Sequence, residues 1–462
     1  MKKLNLKHLL LLLAFALLVV SCSKDDTKPE NDEPTTPETP AVSTDNSLYS
    51  LKFTKANNST FTTDYTSVNH GTTVYATVQE GASVSTLVPS INVHEKATVL
   101  INDVAYNHKA PTAVDFTGTV KLTVKSEQGS TKNYFVLVKD GNPSIDNKIY
   151  SFMIKHELPA VSIAVSKDED IVYRAAYGFA RKATQERATV DHLFRLASMS
   201  KQHTTFAIMH LFEAGKLSLD ATVFGANGIL SKYGDNMSSA AKSITIKHLL
   251  SHTSGYTVDC IFPSASKYYS KSLQERIQIL VDEETVAYTP GNTYKYNNTN
   301  FGILTDVVEV VSGKSLESYL KEEIYTPLGI TDIYGGKNSE SARLPKEVLY
   351  YGQGGKNPYG NDVEVGIGAG GIVATPTALM KLMAHIDYAT KVPDMFKKET
   401  LDIMYTPLPG VVSTSGSSYQ KYALGWRCNY VDFPKWEAFH GGTLAGVCTI
   451  WARSDKNVNG VI

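Results

Sequence analysis

The stretch FRLASMSK spans residues 194–201 and leads into a run of residues with helical spacing. That run contains an apolar stripe and then a glycine that favours a helix end: Phe206, Met209, Phe212 and Gly215. Residues three apart share one face of a helix. We therefore predict a long amphipathic helix that begins at Ser198 and places Lys201 beside the Ser198 hydroxyl.

Ser198 and Lys201 have the chemistry of an activated nucleophile. A serine hydroxyl is a weak nucleophile until a neighbouring base removes its proton, and a lysine can be that base if burial or nearby positive charge keeps it neutral. Alone, Ser-x-x-Lys is a weak signal because it recurs in the chain. Other matches include Ser21–Lys24, Ser239–Lys242, Ser264–Lys267 and Ser418–Lys421. A surface serine and lysine in the first turn of a helix is the alternative at this point.

Further segments, in a fixed order, strengthen the interpretation. Residues 289–304, TPGNTYKYNNTNFGIL, carry Tyr296 and Asn298 as Tyr-x-Asn, and FHGGT at residues 439–443 precedes a strand. With FRLASMSK, they resemble the three signature motifs of serine β-lactamases and penicillin-binding proteins, and in detail the class C branch. The other matching segments are GKLSLD, IKHLLSHTSGY, YTPLGITD, GAGGIVAT and HGGTLAG. The resemblance covers residues 146–462.

The resemblance implies a role for each matching residue. Ser198 would be the acylated nucleophile and Lys201 its proton acceptor. Tyr296 would share the base role and protonate the leaving group. Asn298 would position the substrate and Lys201 through hydrogen bonds. The backbone N–H groups of Ser198 and Thr443 would form the oxyanion hole, in which each donor contributes about 3 kcal/mol to lowering the barrier.

The third motif departs from the β-lactamase pattern, in which a lysine leads it. Here His440 stands first, as is common in related DD-peptidases, D-amino-acid-specific peptidases and esterases. A histidine near pH 7 is only partly charged, so we expect His440 to bind a substrate carboxylate less firmly than a lysine would. Gly441 and Gly442 would let a substrate backbone lie along this strand.

The function implied is that of a serine hydrolase acting through a Ser198 acyl-enzyme on an ester or a D-amino-acid-containing peptide. The partner would be a small molecule or peptide, and cell-wall fragments suit the expected location. A true β-lactamase remains an alternative, as does a non-catalytic receptor or scaffold with the same fold. The complete set of Ser198, Lys201, Tyr296 and Asn298 argues against a scaffold.

The resemblance also implies the fold of residues 146–462. We expect an α/β (α+β) domain of the β-lactamase/transpeptidase type, with an antiparallel sheet flanked by helices and a helical subdomain inserted after the first motif. The site would lie between sheet and subdomain. Members of this family usually continue through another strand and a C-terminal helix, so the domain is expected to be truncated at its C-terminal end.

Residues 1–22 have the pattern of a lipoprotein signal peptide. Lysines precede an apolar run from Leu9 to Val20, which is too short to span a bilayer. Cys22 follows directly and would be lipidated. Residues 23–43 are rich in Pro, Thr and acidic residues and would form a disordered tether. The protein would thus be lipid-anchored in the cell envelope, on the outer membrane, facing the periplasm or the cell surface.

Residues 44–141 predict short strands, because apolar and polar residues alternate along them. The alternating runs include Leu51/Phe53, Val74/Ala76/Val78, Val120/Leu122/Val124 and Tyr134/Val136/Val138. We expect an antiparallel β-sandwich that resembles the immunoglobulin-like modules of surface lipoproteins. A spacer role is favoured, with glycan binding as the alternative.

The composition narrows the function classes. Lys plus Arg number 45 and Asp plus Glu number 46, which gives a net charge of −1 and argues against nucleic acid as a partner. Cys260, Cys428 and Cys448 follow no disulfide or zinc pattern, although one bridge is possible. His248 and His252 lie four apart but lack the glutamate of a metalloprotease motif. We read both as structural and predict no metal and no cofactor.

Overall fold

The structure is a computed structural model that describes residues 42–413, 421–428, 436–454 and 456–462. These residues form two compact units. The N-terminal unit holds residues up to 161 together with 177–188, and the second unit holds residues 162–176 and 189–462. The expected signal peptide with Cys22, and the expected tether up to residue 41, lie outside the described residues.

The N-terminal unit is rich in β-structure. Its strands are β1 Leu48–Phe53, β2 Tyr65–Thr66, β3 Val68–His70, β4 Thr73–Gln79, β5 Ser90–Val93, β6 Thr98–Ile101, β7 Val104–Tyr106, β8 Val120–Lys125 and β9 Thr131–Gly141. They form a three-stranded sheet, in the order β2-β1-β5, and a six-stranded sheet, in the order β3-β4-β9-β8-β6-β7. Buried side chains of both sheets share one apolar core, as the alternating pattern predicted. The expectation of antiparallel pairing throughout is wrong, because β4 and β9 run parallel.

The second unit combines strands with helices, and one more helix, Pro143–Lys155, belongs to the N-terminal unit. The α-helices, counted from the domain junction, are α1 Pro143–Lys155, α2 Ser200–Glu213, α3 Ser239–Lys242, α4 Ile246–Leu250, α5 Leu273–Glu283, α6 Asn298–Ser312, α7 Leu316–Tyr319, α8 Pro376–Met383 and α9 Lys398–Tyr405. Short 3₁₀ turns lie at Ala197–Met199, Ser231–Tyr233 and Ser266–Tyr268, and π-helical turns at Leu320–Tyr325 and Ile367–Gly371.

A mainly antiparallel sheet crosses this unit. The remaining strands are β10 Ala160–Lys167, β11 Asp170–Arg181, β12 Glu186–Arg187, β13 Phe194–Arg195, β14 Thr293–Tyr294, β15 Ile333–Gly335, β16 Ile372–Ala374, β17 Val412–Ser413, β18 Lys421–Tyr422, β19 Arg427–Cys428, β20 Trp436–Leu444, β21 Val447–Ser454 and β22 Val458–Val461. The main sheet has the order β12-β11-β10-β22-β21-β20-β19-β18. β22 pairs with both β10 and β21, so this sheet is continuous. This is the predicted mixed fold of a sheet flanked by helices.

Helix α2 lies in the centre of the apolar core of the second unit. The prediction that it is amphipathic is wrong, because its polar residues 200–205 are as fully buried as its apolar ones. Several of their polar atoms bond to groups from other segments, whereas Gln202 Oε1, His203 Nε2 and Thr205 Oγ1 are buried without a hydrogen-bond partner. Thr204 Oγ1 donates to the Gly368 carbonyl at 2.9 Å, and His203 Nδ1 is bonded to the Tyr325 hydroxyl at 2.8 Å. Helical spacing showed the apolar stripe but not what would cover the opposite face.

Two further features concern the described part of the chain. No helix there is both long and apolar enough to cross a membrane. Cys260 and Cys428 are buried and free, and Cys448 is exposed and free, so none of these three forms the bridge that their number had left open.

Candidate active site

Ser198 lies in the 3₁₀ turn that leads into α2. The residue before it, Ala197, has a φ of 50° and is fully buried. A left-handed backbone is uncommon for a residue with a side chain and persists only when its surroundings enforce it. Leu196 provides this support, because its N–H donates to the Ile372 carbonyl at 2.8 Å and its carbonyl accepts from Thr449 Oγ1 at 2.8 Å. The turn is therefore held by two neighbouring strands, and Ser198 remains partly exposed.

Lys201 is completely buried one helical turn after Ser198. Its Nζ donates to Asn298 Oδ1 at 2.8 Å and to the Ala369 carbonyl at 2.6 Å. Burial lowers the pKa of Lys201 to about 7, although the carboxylate of Asp259 opposes the shift. A neutral amine has two N–H donors, and both are used here. Its lone pair is thus left for another donor, as a base requires.

Asn298 is the first residue of α6, and the preceding Asn297 caps that helix by accepting from the Thr299 N–H at 3.0 Å. The Asn298 side chain bonds at both ends. Its oxygen accepts from Lys201, and its Nδ2 donates to Asp259 Oδ2 at 2.8 Å. The structure thus places Asn298 between the lysine and a carboxylate that no motif had indicated.

Tyr296 is half-buried and packs against a cluster of rings. Lys201 Nζ lies 4.9 Å from the centre of its ring, and the His252 ring lies 4.3 Å away. Its hydroxyl is buried and makes no hydrogen bond of ordinary geometry with any described residue. Burial raises the pKa of Tyr296 above its ordinary value, and the Ser198 side chain partly opposes this rise. The Tyr296 hydroxyl is therefore neutral at pH 7 and lies close to Ser198.

The third motif lies on β20, which passes directly against the nucleophile turn. A side chain at Gly442 would meet the Leu196 carbonyl at 2.2 Å and the Ser198 nitrogen at 3.0 Å. Only a glycine lets the two backbones approach this closely. Thr443 follows and is exposed, opposite Cys448 on β21. The predicted oxyanion donors thus belong to two segments that touch.

His440 is buried, not directed at an open cleft. Its Nδ1 donates to the Gly441 carbonyl at 2.7 Å, so Nε2 is the nitrogen that accepts from the Tyr422 hydroxyl at 3.0 Å. Burial, with the positive charges of Arg427 and Lys201, holds the pKa of His440 well below its usual range. The expectation of a partly charged histidine near pH 7 is therefore wrong: His440 is neutral, because the fold removes it from water.

Four site residues were missed or misread by the sequence analysis: Asp259, His252, Tyr422 and Arg427. Arg427 lies with its guanidinium carbon 6.0 Å from the centre of the Tyr296 ring, and its charge lowers the pKa of Lys201. His252 has a φ of 56°, and its Nδ1 accepts from the Asn297 N–H at 3.2 Å. Asp259, Tyr422 and Arg427 have no spacing signal, because each lies in a loop or a short strand, and the spacing of His252 from His248 had suggested only a metal motif.

The chain contains a second Tyr-x-Asn pattern, at residues 359–361, and a histidine, His248, that a metal motif would use; both have structural partners. In Tyr359-Gly360-Asn361, the Tyr359 hydroxyl accepts from the Tyr350 N–H at 3.3 Å, and its ring lies 5.0 Å from the Arg195 guanidinium. His248 accepts from the Thr245 N–H and caps α4. Within the described ranges, no group of three or more His, Cys, Asp or Glu residues could hold a metal ion.

Residues 145–462 match the family model described as Beta-lactamase, so the chain belongs to the beta-lactamase family. Residues 53–138 match a second model, described as SGBP, N-terminal. That match does not identify an immunoglobulin-like module, which therefore stays a prediction. The family match agrees with the fold and with the convergence of Ser198, Lys201, Tyr296 and Asn298 described above.

Individual proteins are similar to part of the chain, and solved structures share its fold. A protein of Escherichia coli O157:H7, whose name assigns it provisionally as a D-alanyl-D-alanine carboxypeptidase, is 32% identical over 187 residues. That alignment covers 37% of this chain and 42% of the relative, so the chain spans under half of the relative's length. The octameric penicillin-binding protein homologue of Pyrococcus abyssi has a TM-score of 0.56 at 24% identity, over 68% of this chain and 71% of that one. The D-amino acid amidase of Ochrobactrum anthropi SV3 has a TM-score of 0.54 at 20% identity, over 68% and 89%.

Proposed function

We propose that this protein is a serine hydrolase that cleaves an ester or a D-amino-acid-containing peptide through an acyl-enzyme on Ser198. The observation that carries the proposal is the environment of Lys201. Its amine is buried, its pKa is lowered to about 7, and both N–H donors of the neutral form are engaged by Asn298 and Ala369. A lysine arranged in this way is a base, whereas a structural lysine would keep its charge and a carboxylate partner.

The reaction follows from this arrangement. The lone pair of Lys201 takes the proton of Ser198 Oγ while Oγ attacks the substrate carbonyl. The backbone N–H groups of Ser198 and Thr443 stabilise the oxyanion. The Tyr296 hydroxyl protonates the leaving amine or alkoxide and regains its proton from Lys201. A water molecule then attacks the ester and its proton passes through the Tyr296 hydroxyl to Lys201. Lys201 returns that proton to Ser198 Oγ as the bond to Oγ breaks and the acid is released.

A peptide with a free carboxylate fits the charges around the site better than a neutral ester does. His440 is neutral and already bonded at both nitrogens. The cation whose field reaches Lys201, Tyr296 and His440 is Arg427. A substrate carboxylate would therefore be attracted by an arginine, which stays charged at all accessible pH values. The names of the carboxypeptidase and amidase relatives are consistent with this substrate class.

The decisive experiment is covalent labelling of the intact chain with a fluorophosphonate, read by intact mass. We expect one adduct, absent from Ser198→Ala, and a labelling rate that rises with pH and levels off above about pH 7, because the base must be neutral. Circular dichroism would establish that both proteins are folded. A folded chain without an adduct would favour a non-catalytic scaffold instead.

Substrate screening then separates the remaining enzymatic alternatives. D-alanyl-D-alanine peptides with a free carboxylate should be cleaved faster than the corresponding C-terminal amides. Rapid turnover of nitrocefin would instead establish a true β-lactamase. Slow acylation by nitrocefin without release would favour a penicillin-binding type of site.

We also propose that the protein is anchored in the cell envelope by a lipid on Cys22, with the N-terminal unit as a spacer of the immunoglobulin-like kind. The support is the signal pattern that ends at Cys22. In a bacterial host, Cys22→Ser should move the protein from the membrane fraction to the soluble envelope fraction. Retention of the variant in the membrane would contradict the anchor.

A further inference from the structure

Asp259 belongs to none of the sequence motifs, yet its carboxylate lies close to Lys201, the candidate base. It lies in the loop between α4 and the 3₁₀ turn at Ser266–Tyr268. Its two oxygens have different partners. Oδ2 accepts from Asn298 Nδ2 at 2.8 Å, while Oδ1 accepts from the backbone N–H groups of Ile261 and Phe262 at 3.0 Å each. A hydrogen-bonded chain thus runs from the loop backbone through Asp259 and Asn298 to Lys201.

The loop that carries Asp259 is held against the start of α6. Asn297 Nδ2 donates to the Val258 carbonyl at 2.9 Å. Thr299 Oγ1 donates to the same carbonyl at 2.8 Å and accepts from the Cys260 N–H at 2.9 Å. The residues on both sides of Asp259 are therefore tied to the residues on both sides of Asn298. This arrangement fixes the distance between the two side chains.

The chemistry of the pair determines how the Asn298 amide is turned. An asparagine amide offers an acceptor at one end and two donors at the other, and either end could face Lys201. A carboxylate only accepts, so Asp259 must bind the nitrogen end. The oxygen end is then left for Lys201. If the amide turned over, its N–H would face Lys201 and compete for the lone pair that the base needs.

We propose that Asp259 is a positioning residue that locks the Asn298 amide with its oxygen towards Lys201 and keeps the lysine lone pair available to Ser198. The proposal rests on the proposed function, since it concerns the base of that reaction. Asp259 does not touch the reacting atoms: it acts through its hydrogen bond to Asn298 and through the effect of its charge on Lys201.

The charge of Asp259 affects the pKa of Lys201, and this effect can be measured separately from the hydrogen bond to Asn298. Burial lowers the pKa of Lys201, Asp259 opposes the shift and Arg427 adds to it. The groups that act on or pack against the lysine are Asp259, Arg427, Tyr296, His252 and His440. The histidines and the tyrosine are neutral at pH 7, because burial disfavours their charged forms. Removing the Asp259 carboxylate should therefore lower the pKa of Lys201 further.

The test measures the rate of fluorophosphonate labelling of the intact chain against pH. In Asp259→Asn, the new amide can still accept from the loop N–H groups but presents its own N–H to Asn298. We expect labelling at pH 8 to fall about 10- to 100-fold, the range for losing a hydrogen bond to a charged group. The midpoint of the rise with pH should move to lower pH. Asp362→Asn is the matched control, since Asp362 pairs with Arg276, which bonds the Ile261 carbonyl of the same loop.

A double variant, Asp259→Asn with Asn298→Asp, separates orientation from charge. The bond from Lys201 to residue 298 keeps its direction, while the bond between residues 259 and 298 reverses: residue 259 now donates, and residue 298 accepts from both sides. The negative charge moves next to Lys201, so labelling should recover above the single variant and its midpoint should move to higher pH. Opposite shifts in the two variants would support the proposal.

Three results would decide against the inference. An unchanged rate and midpoint in folded Asp259→Asn would overturn it, as would the same change in Asp362→Asn, which would indicate loosening of the loop alone. A folded single variant without labelling that the double variant does not rescue would also overturn it. Failure of the unsubstituted chain to label at Ser198 is a distinct outcome, because it refutes the proposed function itself.

Discussion

The two units of this protein bury different kinds of residue. In the N-terminal unit, the two sheets share an apolar core that includes an edge-to-face contact of Phe53 and Phe116, and the few polar residues that this unit buries include Thr77, Thr123 and Asp146. In the second unit, the region around Ser198 buries a lysine, histidines, amides and hydroxyls completely, including Lys201, His203, His252, Asn300 and His440. Buried polar groups cost free energy unless they are fully bonded. Their concentration at one place therefore marks a site selected for chemistry more than for stability.

The second unit also shows how the burial of polar side chains is tolerated. Lys201 and His440 are bonded at their polar atoms, and burial lowers the pKa of both, so each loses its charge more easily than in water. The burial that lowers the pKa of Lys201 to about 7 also makes it a base near that pH. In the N-terminal unit, the apolar core stabilises the fold by removing apolar surface from water. Substitutions in the two units should therefore have separable effects, one on chemistry and the other on folding.

The largest effect should come from Lys201→Met, which keeps the volume and removes the amine. We expect labelling of Ser198 to fall by at least about 100-fold, because general-base catalysis typically contributes 10²- to 10⁴-fold. The matched control is Lys242→Met, in the second Ser-x-x-Lys of the described chain, where the lysine is 36% exposed and pairs with Asp235. Equal losses of Ser198 labelling in both variants would mean that Lys201 is not the base that activates Ser198.

The next largest effect is expected from Gly442→Ala. The added Cβ would meet the Leu196 carbonyl at 2.2 Å, so β20 must move away from the nucleophile turn. We expect labelling to fall about 100-fold, the typical loss when an oxyanion donor is misplaced. Gly118→Ala in the N-terminal unit is the control, because a Cβ there meets nothing within 4 Å. Normal labelling of Gly442→Ala would contradict the close approach of the two segments.

The smallest effect on chemistry should come from Leu122→Ala, in the N-terminal core, where Leu122 is 1% exposed. Removing its side chain leaves a cavity that should lower the free energy of unfolding by about 2–5 kcal/mol. Urea denaturation followed by circular dichroism measures that loss. The labelling rate without urea should stay within about twofold of the unsubstituted chain. A large drop in that rate would show that the two units are not energetically separable.

Much of the site could be predicted from local patterns. Ser198 and Lys201 share a helical turn, and Tyr296 and Asn298 lie two apart at the start of α6, so each pair is set by short-range geometry. The glycines of the third motif were expected to admit a substrate backbone, which stays a prediction; in the structure, Gly442 lies against the chain's own backbone at Leu196 and Ser198. The strands of the N-terminal unit followed from alternation, because a half-buried strand exposes every second residue.

The wrong or missing predictions concern groups whose setting depends on distant segments. The polar face of α2 was expected to meet water, but Gly368, Gly425 and Tyr325 cover it. Parallel pairing of β4 and β9 could not be predicted, because alternation is the same for either direction. His440 was expected to carry partial charge, and only its burial beside Tyr422 makes it neutral.

The sequence by itself determined the family-level fold, the identity of the candidate nucleophile and base, and the β-rich character of the first unit, because periodicity and motif spacing are local properties of a chain. Only the tertiary structure decided that the pKa of the base, Lys201, is lowered to about 7. That property depends on the Ala369 carbonyl, 168 residues away in the chain, on the Asn298 amide, and on the opposing charges of Asp259 and Arg427. The pKa of a buried group reports its whole surroundings, and the fold alone assembles them.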